Sequence, residues 1–106
     1  IRQLADLAPA IARVQRDGRL DEVPVEQVQP GELVLIRPAE RVPVDGQIVE
    51  GASAMNQAPI TGESVPVDKT VGDSVFAGAI NGEGAVTVRT TKAVGDRTLD
   101  RVIQLV

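Results

Sequence analysis

The 106-residue chain has no His, no Cys, no Trp and no Tyr, and it carries one Phe and one Met. Without imidazole or thiolate it lacks the usual ligands of zinc and copper sites, and every catalytic scheme that needs a His base or a Cys nucleophile is excluded. Disulfides are impossible, and a chain without Cys is compatible with either side of a membrane. Eleven basic and fifteen acidic side chains are interspersed and leave a formal charge of −4. With no clustered Lys and Arg and no stacking aromatics, a nucleic-acid grip is ruled out. Apolar runs are short too. The longest, such as Leu33-Val34-Leu35-Ile36, have four residues, against ~20 needed to cross a bilayer. No signal peptide or anchor is read within the stretch.

What is abundant is β-branched aliphatic residues, seventeen Val and seven Ile. Such an interior favours strands, and the length allows one domain and no second core. From Val23 to about Val94 the chain alternates short aliphatic runs with turn residues. Val23–Val28, Leu33–Arg37, Gln47–Val49, Val75–Ile80 and Ala85–Thr90 read as strands. Gln29-Pro30-Gly31, Asp45-Gly46, Val71-Gly72-Asp73 and Asn81-Gly82-Glu83-Gly84 read as turns. Strands in succession with no helix between them predict antiparallel pairing in a compact barrel or jelly-roll-like sandwich.

The two ends read differently. Leu4, Leu7, Ile11 and Val14 fall on one helical face, with Gly18 as a stop and Pro9 as a kink, which predicts a helical segment over 1–18. Leu99, Val102, Ile103 and Val106 repeat at i, i+3, i+4 and i+7, with Asp96 or Thr98 as N-cap, which predicts a helix over 95–106. That helix has no stop signal, and apolar residues stand at both termini (Ile1 and Val106), so the chain reads as a domain excised from a longer protein. The expected fold is therefore mainly β within α+β. It has a β core over 19–94, a small distorted jelly roll or double-stranded β-helix-like arrangement of antiparallel strands, with helices from both ends packed beside it.

One stretch, Ser53 to Val67, breaks the strand pattern and reads as a long presented loop. Within it Thr61-Gly62-Glu63-Ser64 places a carboxylate beside a Gly, between two hydroxyls, braced by Pro59 and Pro66. As four residues alone this reads more readily as a surface turn with an ordinary Glu. Its surroundings add weight, because they resemble the actuator domain of P-type cation-transporting ATPases, for which Thr-Gly-Glu-Ser is the signature. Pro30-Gly31-Glu32 resembles the family's Pro-Gly-Asp turn, and Val42-Pro43-Val44-Asp45-Gly46 its Ile-Pro-x-Asp-Gly turn. Val75-Phe76-Ala77-Gly78 and Asn81-Gly82 resemble the strand and turn that follow the loop. Departures are Glu32 for the more usual Asp, and Ala39 where Gly is frequent. Met55-Asn56-Gln57-Ala58 resembles the heavy-metal subgroup and leans toward zinc, cadmium or cobalt pumps over copper.

The resemblance implies a role. ATP phosphorylates an Asp on a separate domain, and the actuator swings its loop onto the aspartyl phosphate. Glu63 would position and deprotonate the attacking water, Gly62 would allow close approach, and Thr61 and Ser64 would hold the loop's shape or contact phosphate oxygens. The implied partners are the phosphorylation and nucleotide-binding domains and the membrane helices of the same polypeptide, at the cytoplasmic face of a membrane. ATP and Mg2+ would belong to the full-length enzyme, with the heavy-metal cation as its substrate. The domain itself is expected to be a monomer that binds no cofactor and no metal and is inactive alone.

Asp68-Lys69-Thr70-Val71 imitates the start of the family's Asp-Lys-Thr-Gly-Thr phosphorylation motif, but Val71 replaces the required Gly. Two other classes stay open on the residues. A lipoyl or biotinyl carrier domain is also a small Val-rich barrel with a presented Asp-Lys pair, here Asp68-Lys69, though only two residues separate Lys69 from Gly72. A non-catalytic β-sandwich interaction module would make Glu63 dispensable. The scattered acids Asp45, Glu50, Asp68, Asp73 and Glu83 have no EF-hand spacing and read as solvated turn residues.

Overall fold

A computed structural model describes residues 2–3, 8–101 and 103–104. In chain order the strands are β1 (Arg2–Gln3), β2 (Ile11–Arg16), β3 (Arg19–Pro24), β4 (Leu33–Ile36), β5 (Asp45–Gly51) and β6 (Ser53–Asn56). A single helical turn, α1 (Ala58–Thr61), precedes β7 (Val67–Lys69), β8 (Ser74–Val75), β9 (Ile80–Asn81), β10 (Val86–Lys92) and β11 (Ile103–Gln104). Every strand pair is antiparallel, as expected. Six strands form one sheet in the order β3-β2-β4-β10-β5-β8, three form a second, β7-β6-β9, and β1 pairs with β11.

Alternation of apolar and polar residues sets which face of each strand is buried. Ala12 and Val14 in β2, Val34 and Ile36 in β4, and Val86 and Val88 in β10 all point inward. The register lines up Val14, Val34, Val88 and Ile48 across four neighbouring strands, each at most 1% exposed. Met55 of the smaller sheet joins the same buried cluster, so the two sheets share one core. Each fully buried Val or Ile contributes roughly 1.5–3 kcal/mol.

Two ends depart from expectation. Residues 11–16 of the predicted N-terminal helix are strand β2, while Leu4 and Leu7 lie outside the described residues. Asp17 and Gly18 both take positive φ, 52° and 77°, and form a two-residue turn joining Arg16 to Arg19. That twist matches a β-hairpin, and the inward pair Ala12 and Val14 also satisfies a period of two. The predicted helix over 95–106 shrinks to one 3₁₀ turn, Thr98–Arg101. Ile103 pairs in β11, and Val102, Leu105 and Val106 lie outside the described residues. Here the Thr98 N–H and hydroxyl bond to Asp45 and one Arg97 donor to Pro43, in the body of the domain, while the remaining Arg97 donors close on Asp100 within the segment. Neither Asp96 nor Thr98 caps a long helix. Asp96 faces Arg101 at 3.4 Å, and the Thr98 hydroxyl donates to Asp45. Strand limits also shift inside the core, where Val25–Gln27 is a 3₁₀ turn instead of the end of a strand.

Two turns carry the departures noted in the sequence. Glu32 closes its turn by accepting from Gln29 N at 2.9 Å, and it binds Arg16 through Nε at 2.8 Å. Arg16 first and the Gln29 N–H second hold the Glu32 carboxyl below the usual range, against the opposing pull of burial. Ala39 sits at φ 66° in the left-handed region, where a Cβ is strained.

Candidate functional site

The stretch from Ser53 to Val67 is less of a loop than its sequence implies. Its first four residues are β6, held on one side by β7 and on the other by β9. The site is the connection of the β6–β7 hairpin, whose register sets Met55 opposite Val67. Met55 is buried and Ile60 packs against the core, which anchors both ends of α1.

Local hydrogen bonds then shape the turn. Asn56 Oδ1 accepts from Ala58 N at 2.9 Å, starting α1, and Pro59 stands in its first turn, where a missing N–H costs nothing. The Thr61 hydroxyl donates to Gln57 O at 3.1 Å and accepts from Glu63 N at 3.2 Å. Gly62 ends the helical turn at φ 81°, with its N–H on Ala58 O at 2.9 Å. A left-handed cap is the conformation Gly adopts most readily. No atom lies within 4 Å of where a Gly62 Cβ would be, so nothing covers the backbone there.

The outcome is a fixed backbone with a free carboxylate. Thr61, Gly62, Glu63, Ser64, Val65 and Pro66 are all exposed. Among the described residues nothing donates a hydrogen bond to the Glu63 carboxylate. Thr61 is therefore a loop-shaping residue by direct geometry, and Ser64 is exposed two residues beyond Gly62. The carboxylate is presented outward on a short, braced turn, where it can accept a proton or orient a water once a partner surface is brought to it.

Elsewhere in the domain stand polar residues whose burial the sequence did not reveal. Asn81 is 2% exposed and clamps the Arg37 and Gly84 carbonyls at 2.9 and 2.7 Å, which ties β9 to the end of β4 and to the turn before β10. Asp45, also 2% exposed, accepts from Ala77 N at 2.9 Å and from both the N–H and hydroxyl of Thr98 at 2.8 Å. Arg97 donates to Pro43 O at 2.8 Å and forks onto both Asp100 oxygens, at 2.7 and 2.8 Å. Burial pushes the Asp100 carboxyl up, but Arg97 and the N–H groups of Gly95 and Arg97 outweigh it and leave the group below its ordinary range. The signal in the sequence at Asp45 is an Asp-Gly pair, which reads as a turn; the structure instead places both residues at the start of β5, with the Asp45 carboxylate bonded to Ala77 and Thr98.

The other candidates are dispersed. Asp73 closes its own turn by accepting from Thr70 N at 2.9 Å, and Asp45 is committed to backbone and hydroxyl donors. Among the described residues no group of three or more acidic side chains gathers as a metal site. Lys69 is half-buried inside β7 opposite Ser53, instead of standing at the tip of a tight turn.

Residues 6–106 match the family model of the P-type ATPase actuator domain. The chain belongs to that family. The actuator domain is 48% identical, over 106 residues, to a probable cadmium-transporting ATPase of Listeria monocytogenes, and 47% identical to copper-exporting P-type ATPase B of Archaeoglobus fulgidus. Each alignment covers all of this chain and 15% of the relative, so the chain spans about a seventh of these proteins. Among solved structures it is similar to a zinc-transporting PIB-type ATPase. The TM-score is 0.86 and the identity 32%, covering 92% of this chain and 16% of that one. A second structure of a zinc-transporting PIB-type ATPase, in another state, gives a TM-score of 0.83 at 30% identity, with 92% and 17% covered. Among the described residues of the actuator domain, no helix is long and apolar enough to cross a membrane.

Proposed function

We propose that this actuator domain serves an ATP-driven heavy-metal cation pump, in which its Thr61–Ser64 loop promotes hydrolysis of an aspartyl phosphate carried by another domain of the same polypeptide. The observation that carries the reading is the exposed, unpaired Glu63 carboxylate on a turn whose backbone is fixed by Thr61 and Asn56. When the loop meets the phosphorylated Asp, Glu63 accepts a proton from water as the water oxygen bonds to phosphorus. The bond between phosphorus and the aspartyl oxygen breaks, releasing inorganic phosphate and restoring the Asp carboxylate. Gly62 presents no side chain to the incoming phosphoryl group, Thr61 keeps the turn closed, and the Ser64 hydroxyl contacts a phosphate oxygen. A positioned base of this kind contributes ~10²–10⁴-fold in rate.

ATP and Mg2+ belong to the other domains of the parent enzyme, and the metal cation is its cargo. The actuator sits at the cytoplasmic face of the membrane, works with the phosphorylation and nucleotide-binding domains and the membrane helices, and is a monomer when isolated. Zinc, cadmium or cobalt is favoured as cargo over copper on the Met55–Ala58 phrase. The cadmium-named and zinc-named relatives support this, although a copper exporter is nearly as similar.

The test is phosphoenzyme decay in the full-length parent pump after a pulse of labelled ATP and an unlabelled chase, with zinc, cadmium and copper supplied in turn. Glu63→Ala is expected to form the phosphoenzyme and hold it at least ~100-fold longer than wild type. Decay at the wild-type rate would take Glu63 out of the mechanism.

A further inference from the structure

The loop that carries Glu63 ends in a residue that the chemistry above leaves unused. Val65 is 72% exposed, the most exposed large apolar side chain among the described residues. It is also stiff. A β-branched side chain has few rotamers, and the following Pro66 restricts the Val65 backbone to extended conformations. Thr61, Glu63 and Ser64 end in polar groups, Gly62 has no side chain, and Ile60 is partly buried against the core. Val65 with Pro66 is thus the apolar part of the surface that leads with Glu63.

We infer that Val65 is the anchor by which this loop seats on the phosphorylation domain of the same polypeptide, closing the rim of the contact so that bulk water is kept from the aspartyl phosphate. The inference rests on the reading of Glu63 given above. The occupant follows from placement: Val65 stands two residues from Glu63 on one short connection where both are exposed, so a partner that covers this connection to meet Glu63 covers Val65 as well. Most of the parent polypeptide, by the length of the relatives, lies outside this chain. Val65 is a positioning residue, because it acts by seating Glu63 and touches no reacting atom.

The experiment is the same pulse and chase in the full-length pump. It compares Val65→Ala, Val65→Ile and Leu20→Ala, the last a large apolar residue 47% exposed on the β2–β3 hairpin. Withdrawing two methyl groups from a buried contact corresponds to about tenfold in rate. Val65→Ala is therefore expected to slow decay about tenfold while forming phosphoenzyme at the wild-type rate and level, and Val65→Ile and Leu20→Ala are expected to decay as wild type. If Val65→Ala decays normally while Glu63→Ala stalls, the anchor is refuted and the role of Glu63 stands. A Val65→Ala effect on phosphoenzyme formation instead of decay, or an equal effect from Leu20→Ala, also refutes it. Normal decay in Glu63→Ala would refute the underlying reading instead.

Discussion

Replacing Asp45 with Ala removes one carboxylate and strands three donors. Ala77 is fully buried, so its N–H, now 2.9 Å from Asp45 Oδ1, would find no water in exchange. Leaving such a group unpaired costs about 1–3 kcal/mol. The Thr98 N–H and hydroxyl, both at 2.8 Å from Oδ2, sit at a half-buried residue and recover part of their hydration, adding about 1 kcal/mol each. The sum, about 3–5 kcal/mol, is a large share of the ~5–15 kcal/mol that holds a domain folded. With no Trp or Tyr in the chain, urea unfolding is best followed by far-UV circular dichroism. For a slope of about 1–1.5 kcal/mol per molar, the midpoint should fall by roughly 3 M. Thr98→Val, which deletes only the hydroxyl donor and keeps the shape, should cost about 1 kcal/mol. An Asp45→Ala cost no greater than that of Thr98→Val would refute the argument that this carboxylate ties the 76–79 turn and the 97–101 segment to the core.

Acid should weaken the fold in a defined direction. The carboxyls of Glu32, Glu40 and Asp100 lie below their ordinary values in the folded chain. Burial opposes the shift in Glu40 and Asp100, and their bonds to the Arg37 N–H and Arg13, or to Arg97, outweigh it. A depressed carboxyl contributes stability that is present above its unfolded value and is lost as pH falls through the folded one. The urea midpoint should therefore hold near neutrality and decline below about pH 5, and Asp100→Asn should flatten that decline. A second expectation concerns Ala39 at φ 66°. Ala39→Gly should raise stability by about 1 kcal/mol, read as a higher urea midpoint, because the left-handed strain is relieved.

Why some of this architecture was readable and some was not is a matter of range. The strands β4, β5 and β10 announce themselves as short aliphatic runs bounded by turn residues, and Thr61–Ser64 by the resemblance of the motif and its surroundings to the actuator-domain pattern. At the N-terminus two periods competed for the same residues. Ile11 and Val14 satisfy a helical spacing, yet the Asp17-Gly18 pair specifies a hairpin, and β4 offers Val34 as a partner for Val14. The turn won because it is paired on both sides. At the C-terminus Leu99 kept its buried place, but Arg97, Thr98 and Asp100 spend their hydrogen bonds on the segment itself and on Pro43 and Asp45, far away in sequence. No window of adjacent residues contains that information. The same holds for Asn81, whose amide clamps Arg37 from 44 positions away. Within the candidate site, the residue types were legible and their support was not. The Asn56 cap and the turn of helix before Gly62 emerge only once β6 is fixed between β7 and β9.

The interior described above is made mostly of Val, with ten of the seventeen buried apolar residues among those described. Side chains of this kind have few alternative rotamers, and those of an antiparallel stack are further held by their cross-strand neighbours. Such a body has little slack with which to absorb a push. Movement imposed at the 97–101 segment, tied through Asp45 and Pro43 to the core, would reach the Glu63 turn as displacement of the whole rather than as local deformation. Mechanically the domain is a stiff lever, and the swing proposed for it would draw its compliance from whatever joins it to its neighbours.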